Sequence, residues 1–103
     1  MTAVAAYVPD LMDRSKVAGA RADVAFVRQP AELVGLEAAL YLVDLTRAGV
    51  LEVLPFLPGR VVGFANHAER ELLDAARAAG CDEVLTRSAF FSRLGQIVGG
   101  PEA

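Results

Sequence analysis

The sequence predicts an α/β domain in which a five-stranded parallel sheet carries helices on both faces. Short apolar runs rich in β-branched residues alternate with stretches of helical spacing, which is the pattern of βα units. Capping and turn residues separate these runs from one another. The chain has 103 residues, of which 54% are hydrophobic and 22% charged, enough for one core but not for two. We therefore expect a single domain over 1–103, with 98–103 as a frayed tail.

Three strands and two helices are predicted in the first half of the chain. Pro9 ends the first strand because it lacks a ladder donor, and the carboxylate of Asp10 can cap a helix over Leu11–Ala20. Pro30 suits the first turn of a short helix that continues to about Ala38. The strands are the apolar runs Ala3–Val8, Ala22–Val27 and Ala39–Val43.

Two strands and three helices are predicted in the second half. Apolar residues at helical spacing over Val50–Leu57 predict a helix that Pro55 should kink or end early. Asn66, with Glu69 three residues later, predicts a capping-box-like start for a helix that runs through Ala79. The two strands are Val61–Ala65 and a run centred on Val84 and Leu85. The last helix is marked by four apolar residues, Phe90, Phe91, Leu94 and Val98.

The strict alternation of strands and helices determines how such a sheet is assembled. Each crossover must be right-handed, and the flavodoxin-like strand order 2-1-3-4-5 is the commonest solution at this size. The predicted architecture is a three-layer α/β/α sandwich. Functional sites of such sheets form at the carboxyl ends of the strands. That edge should carry Pro9 and Asp10, Arg28, 44–47, Asn66 and His67, and Arg87 and Ser88.

Two segments resemble the receiver domains of two-component response regulators. The segment Leu42–Leu45 resembles the third receiver strand and puts Asp44 at the position of the phosphorylated aspartate. The segment Gly80–Arg87 resembles the fifth strand, with Arg87 where receivers have an invariant lysine. The resemblance implies a flavodoxin-like fold and a signalling role without enzymatic activity. The positions it implies for the receiver pocket are Asp10, Thr46, Ala65 and Arg87.

The sequence departs from the receiver pattern at the residues that carry phosphoryl chemistry. Pro9 replaces the first of two adjacent acids after strand one, and Ala65 replaces the switch serine or threonine at the end of strand four. Arg87 replaces the lysine, and Ser88 replaces the proline after it. A phosphoryl group on Asp44 would have no hydroxyl at position 65 to pull, so the usual conformational readout is missing. We interpret the chain as a pseudo-receiver.

Asp44 has three interpretations. As a phospho-acceptor it would act with Asp10 and a weakly held Mg²⁺, since such transfer needs a divalent cation on several oxygens. The Thr46 carbonyl would be a further ligand. Alternatively, Asp44 forms an ion pair with Arg87, whose guanidinium can bind both oxygens of a permanent carboxylate, or it caps the following loop. The arginine at position 87 favours these last two interpretations.

An anion- or ligand-binding site is another candidate. Asn66, His67 and Arg87 lie at the same edge of the sheet, although no glycine-rich phosphate loop is present. His67 could act as a general base, but Cys81 is expected to be buried and no nucleophile is fixed nearby, so we expect a surface histidine. Three further residues lie near the start of the first helix, where an anion can meet free amides: Arg14, Ser15 and Lys16.

A protein-interaction surface is predicted near the last helix. Phe90 and Phe91 are consecutive and point about 100° apart on a helix, so both cannot face inward. Receivers commonly associate through the face formed by helix four, strand five and helix five. The resemblance therefore implies a possible interface at Phe90, Phe91 and Leu94.

The composition limits which classes of binding partner and which cellular location we expect for this chain. The net charge of −3 provides no basic field for nucleic acid or an anionic membrane, and no apolar run approaches the roughly 20 residues that span a bilayer. The first residues do not resemble a signal peptide, and one cysteine without zinc-site spacing predicts neither a disulfide nor a structural metal. We expect a cytoplasmic protein without a cofactor, whose partner is another protein or a second copy. Three hypotheses remain: a non-catalytic receiver-like interaction or signalling module, a phospho-accepting receiver, and a small anion- or nucleotide-binding domain.

Overall fold

The computed structural model describes residues 2–99, which form five strands and six helices. The strands are β1 Thr2–Tyr7, β2 Ala25–Phe26, β3 Ala38–Asp44, β4 Arg60–Ala65 and β5 Glu83–Thr86. The helices are α1 Leu11–Ala20, α2 Ala31–Val34, α3 Val50–Val53, α4 Arg70–Ala78, α5 Arg87–Ser92 and α6 Leu94–Gly99, with a 3₁₀ turn at Leu54–Phe56.

The sheet has the predicted topology. Its strand order is β2-β1-β3-β4-β5, and every neighbouring pair is parallel. Helices α2, α3 and α4 pack on one face around Leu33, Val50 and Ala76, whereas α1, α5 and α6 pack on the other around Val17 and Phe90. The three-layer α/β/α sandwich is therefore confirmed.

The central strands are buried on both faces, which explains their nearly uniform apolar composition. In β3, Tyr41, Leu42 and Val43 have no exposed surface. On the neighbouring strand, Gly63 leaves room for Leu45, since a Cβ at position 63 would lie 2.7 Å from the Leu45 side chain. This packing fixes the end of β3, where Asp44 stands.

Several predicted boundaries are wrong. Strand β2 has only two residues, and α2 ends four residues before Ala38, which instead begins β3. The capping box at Asn66 and Glu69 does not form. The Asn66 side chain accepts a hydrogen bond from the Ala68 amide, which makes a turn, and α4 starts at Arg70.

The carboxyl-terminal segment also differs from the prediction. The single last helix is two helices separated at Arg93. Val98 belongs to the second of these, is buried, and accepts a hydrogen bond from Arg21 through its carbonyl. The predicted frayed tail is therefore wrong for positions 98–99, while 100–103 lie outside the described residues.

Candidate functional site

Functional side chains predicted from the sequence lie at the carboxyl edge of the sheet. Asp10 follows β1, and Asp44 is the last residue of β3, opposite Phe64 in the ladder. Asn66 follows β4, and Arg87 follows β5 as the first residue of α5. The predicted position of Asp44 is confirmed.

Asp10 caps α1, as its position before the helix predicted. Its Oδ1 accepts hydrogen bonds from the amides of Met12 and Asp13 at 2.9 and 3.0 Å. The hydrogen bond from the Asp13 amide holds the pKa of Asp10 below its usual value, with help from the charges of Arg87 and Arg47. Asp10 is thus an ionised helix cap.

Asp44 is held by the loop that follows it. Its side chain is only 4% exposed. Oδ1 accepts from the Thr46 amide at 3.0 Å and from the Thr46 hydroxyl at 2.6 Å, and Oδ2 accepts from Arg47 Nε at 3.4 Å. The loop-cap interpretation is confirmed.

The predicted ion pair between Asp44 and Arg87 is wrong, because Arg87 binds a different carboxylate. Its Nη1 and Nη2 donate to the two oxygens of Asp13 at 2.8 and 2.6 Å. Thr86 accepts a hydrogen bond from Ala89 through its hydroxyl and so starts α5 directly at Arg87. This bidentate pairing raises the pKa of Arg87, so that the guanidinium remains charged.

Asp13 was missed because acidic residues are common in the exposed first turn of a helix. Its side chain is only 3% exposed. One signal could have found it: Asp13 lies four residues before Val17, so both lie on the same narrow stripe of α1, and Val17 is the buried apolar residue of that stripe. A carboxylate on a buried stripe needs a cation from another element.

Ala65 stands at the end of β4 and has no exposed surface. It pairs with Thr86 in the β4–β5 ladder. A methyl group cannot donate a hydrogen bond, so the side chain at this position offers nothing to a phosphoryl group.

No family model and no curated protein matches the sequence. A solved response regulator from Hahella chejuensis is similar with a TM-score of 0.78 at 16% identity, over 96% of this chain and 93% of that one. A response regulator from Thermotoga maritima is similar with a TM-score of 0.69 at 14% identity, over 97% of this chain and all of that one. This chain has the response-regulator fold.

A phospho-accepting site on the response-regulator fold would need Mg²⁺ held by several oxygens. Here Oδ1 of Asp10 already accepts two amides, and both oxygens of Asp44 accept hydrogen bonds, one of them from a guanidinium. Within residues 2–99, no three acidic, histidine or cysteine side chains gather closely enough to hold a metal ion. Within residues 2–99, Asp10 and Asp44 thus serve as caps and belong to no cluster of three possible metal ligands.

The residues predicted to form an anion site lie in two separate places. Asn66, His67 and Arg87 line one cleft together with Thr86 and Ser88. The α1 residues face elsewhere: Arg14 lies 4.7 Å from the ring centre of Phe26, Lys16 lies 5.0 Å from that of Phe91, and Ser15 is exposed.

His67 and Cys81 lie at opposite ends of the sheet. His67 is exposed after β4, whereas Cys81 is buried before β5, with its thiol near the carbonyls of Val61 and Glu83. Burial raises the pKa of Cys81 to about 11, so it is a neutral thiol at physiological pH. Neither side chain activates the other.

The two consecutive phenylalanines differ in exposure. Phe90 is fully buried and stacks on Phe64 with ring centres 4.5 Å apart. Phe91 is half-buried, and its ring is covered in part by Lys16 and Arg87. Leu94 is also buried. Of the three residues predicted for an interface, only Phe91 reaches the surface.

No helix in the described range 2–99 is both long and apolar enough to cross a membrane.

Proposed function

We propose that this chain is a non-enzymatic protein-interaction module whose output does not depend on phosphorylation of Asp44. The observation that carries the proposal is the bidentate pairing of Arg87 with Asp13. In a phospho-accepting receiver, the cation at this position would stabilise the charge of the phosphoryl group. Arg87 is committed to a structural partner instead.

Moving the Arg87 side chain from Asp13 to Asp44 would be energetically unfavourable. The side chain of Asp13 is 3% exposed, so it would be left as a buried charge without a partner. Asp44 itself is only 4% exposed, and its Oδ1 already accepts two hydrogen bonds from Thr46. Transfer would also place the phosphoryl group beside the methyl group of Ala65. These features support the proposal that Asp44 does not accept a phosphoryl group.

Exposed apolar side chains support a role in binding. Leu11 and Met12 are adjacent in the first turn of α1 and are 79% and 73% exposed. Large apolar side chains that cluster at a surface mark interaction sites more often than single ones do. The half-buried ring of Phe91 in α5 lies beside Lys16, which belongs to α1 like Leu11 and Met12, on the α1–α5 side of the sheet. A protein partner or a second copy of the chain fits this surface.

Incubation with acetyl phosphate and Mg²⁺, followed by intact-mass measurement, tests the absence of phosphorylation. We expect the wild-type mass to remain unchanged, while a phospho-accepting response regulator treated in parallel gains a phosphoryl group. Asp44 is the last residue of β3, where the resemblance to receivers implies the phospho-acceptor. A phosphoryl adduct that disappears in Asp44→Asn would therefore establish the alternative, a phospho-accepting receiver.

Size-exclusion chromatography with light scattering, over a series of concentrations, tests self-association. We expect a mass that rises with concentration and a weaker rise in Met12→Ala and Phe91→Ala, because an apolar anchor in an interface is worth roughly 2 kcal/mol. Val34→Ala is the matched control, since Val34 is an exposed apolar residue on the opposite face of the sheet. A monomer at every concentration would contradict the version with a second copy.

A further inference from the structure

We propose that copies of this chain associate head to tail, with the start of α1 of one copy seated in a cleft of the next. This α3–α4 cleft has a volume of about 430 Å³ and lies between the loop after β3, α3 and the start of α4. Its lining includes three leucines and two glutamates, which are Leu45, Leu51, Leu72, Glu52 and Glu69. The proposal rests on the proposed function and names the surface that a second copy contacts.

The α3–α4 cleft combines apolar surface with unpaired negative charge. Leu51 and Leu72 are only partly buried and pack against the core. The carboxylates of Glu52 and Glu69 are exposed, and neither forms an ion pair or a hydrogen bond within residues 2–99. Arg47 also lines the cleft, but its Nε donates to the carboxylate at the end of β3, which offsets its charge. An apolar segment that carries positive charge therefore fits this cleft.

The start of α1 has the complementary character. Leu11 and Met12 are adjacent and are 79% and 73% exposed. Arg14 and Lys16 lie on the same helix, and neither has an ion-pair partner in the described part of the chain. Their side chains cover aromatic rings instead. The start of α1 thus offers two apolar side chains together with two positive charges.

The carboxylates near these cations do not cancel their charge. Asp13 is neutralised by its bidentate pair with Arg87. Asp10 accepts two amides at the positive end of the α1 dipole. Arg14 and Lys16 therefore leave the surface of α1 net positive.

The start of α1 and the α3–α4 cleft do not meet within one copy, because they lie on opposite faces of the sheet. A symmetric contact between two α1 helices would bring Arg14 and Lys16 of both copies together, and like charges across an interface are unfavourable. Contact between α1 and the cleft instead pairs opposite charges and covers Leu11 and Met12. Because each end of such an assembly keeps one free surface, association continues beyond a dimer unless it closes into a ring.

A mixing experiment, followed by size-exclusion chromatography with light scattering, tests this arrangement. One variant carries Leu11→Ser and Met12→Ser, which remove the apolar anchors of α1, and the other carries Glu52→Lys in the cleft. We expect each variant alone to remain a monomer at concentrations where the wild type associates. An equimolar mixture should form a species of two chains, because the intact α1 of the Glu52→Lys chain fits the intact cleft of the other variant. This recovery would also show that both variants are folded.

Removing a single charge measures the contact itself. Glu52→Gln should weaken association about threefold, which is typical of one exposed ion pair. Glu37→Gln is the matched control, because it changes the net charge equally at an exposed glutamate that does not line the cleft. Equal weakening by the two variants would mean that only the net charge matters, which contradicts the proposal.

Failure of the head-to-tail contact can be distinguished from failure of the proposed function. If Glu52→Lys associates like the wild type while the α1 variant is monomeric, the contact with the cleft is wrong but the α1 surface stands. A mixture of the two variants that stays monomeric would also overturn the head-to-tail contact. A wild type that is monomeric at every concentration would overturn this proposal together with the second-copy version above, and the mass measurement would still test phosphorylation of Asp44 separately.

Discussion

Two carboxylates on this chain are almost equally inaccessible, but the protein satisfies them in different ways. The side chain of Asp44 is 4% exposed, and its partners Thr46 and Arg47 follow within three residues. The side chain of Asp13 is 3% exposed, and its partner Arg87 lies 74 positions further along the chain. A local loop satisfies the first, whereas only the folded domain can satisfy the second.

The region around Asp13 and the region around Asp44 therefore differ in how much they contribute to the stability of the domain. The Asp13–Arg87 pair ties α1 to the start of α5, and its guanidinium lies over the rings of Phe64 and Phe91. The Asp44 loop makes no such tie. We therefore expect substitutions around Arg87 to affect the stability of the whole domain and substitutions around Asp44 to have smaller effects.

The largest effect is expected in the ring cluster beneath Arg87. Phe90→Ala should lower the free energy of unfolding by about 3–5 kcal/mol, because Phe90 has no exposed surface and its loss leaves a cavity. Urea unfolding followed by circular dichroism measures this change. Phe91→Ala should cost clearly less because that ring is half-buried. Equal losses in the two variants would contradict the packing described above.

Arg87→Met should produce the next largest effect. Removing one partner of a buried pair costs about 3–5 kcal/mol, and we expect about 2 kcal/mol here because the Arg87 side chain is 44% exposed to solvent. Arg47→Met is the matched control at Asp44. It should cost less than about 0.5 kcal/mol, since Arg47 is similarly exposed and makes a single long contact. A greater loss from Arg47→Met in urea unfolding would reverse the comparison.

Thr46→Val should lower stability by about 1 kcal/mol. Valine has nearly the shape of threonine, but it removes the hydroxyl that donates to Asp44 at 2.6 Å. The amide of residue 46 still donates to the same oxygen, which limits the loss. Thermal unfolding compares this variant with Thr2→Val, a threonine at the start of β1. An unchanged midpoint for Thr46→Val would mean that the hydroxyl contributes nothing.

The smallest effect is a dependence on pH at Asp10. Its pKa is lowered in the folded state, so the ionised cap stabilises the protein fully above the ordinary carboxyl pKa. This contribution is lost as the pH falls through the lowered pKa of the folded state. Asp10→Ala should therefore lower stability at neutral pH and flatten the fall in stability that follows as the pH drops below the ordinary carboxyl pKa. Parallel acid-limb curves for wild type and variant would exclude this role.

Local sequence signals predicted much of the fold. The start of α1 follows from Asp10 as a cap, and the strand order follows from alternation and handedness. The start of α4 could not be predicted from Asn66, because the same asparagine can either cap a helix or close a turn on the amide two residues later, and here it closes the turn.

The candidate site was predicted less completely. The loop around Asp44 depends on residues within three positions, so its cap could be proposed from the sequence. The Asp13–Arg87 pair depends on the rotation of α1 and on the point at which Thr86 starts α5. No local pattern records that juxtaposition, and arginine has the reach to bind either carboxylate.

A pair of double-mutant cycles in urea unfolding, one for Asp13–Arg87 and one for Asp44–Arg87, tests most directly which carboxylate Arg87 stabilises. Asp13→Asn, Asp44→Asn and Arg87→Met provide the single changes. We predict a coupling energy of about 1–2 kcal/mol between Asp13 and Arg87 and a value near zero between Asp44 and Arg87. A coupling to Asp44 that equals or exceeds the coupling to Asp13 would contradict this prediction, because Arg87 would then serve the phospho-acceptor position.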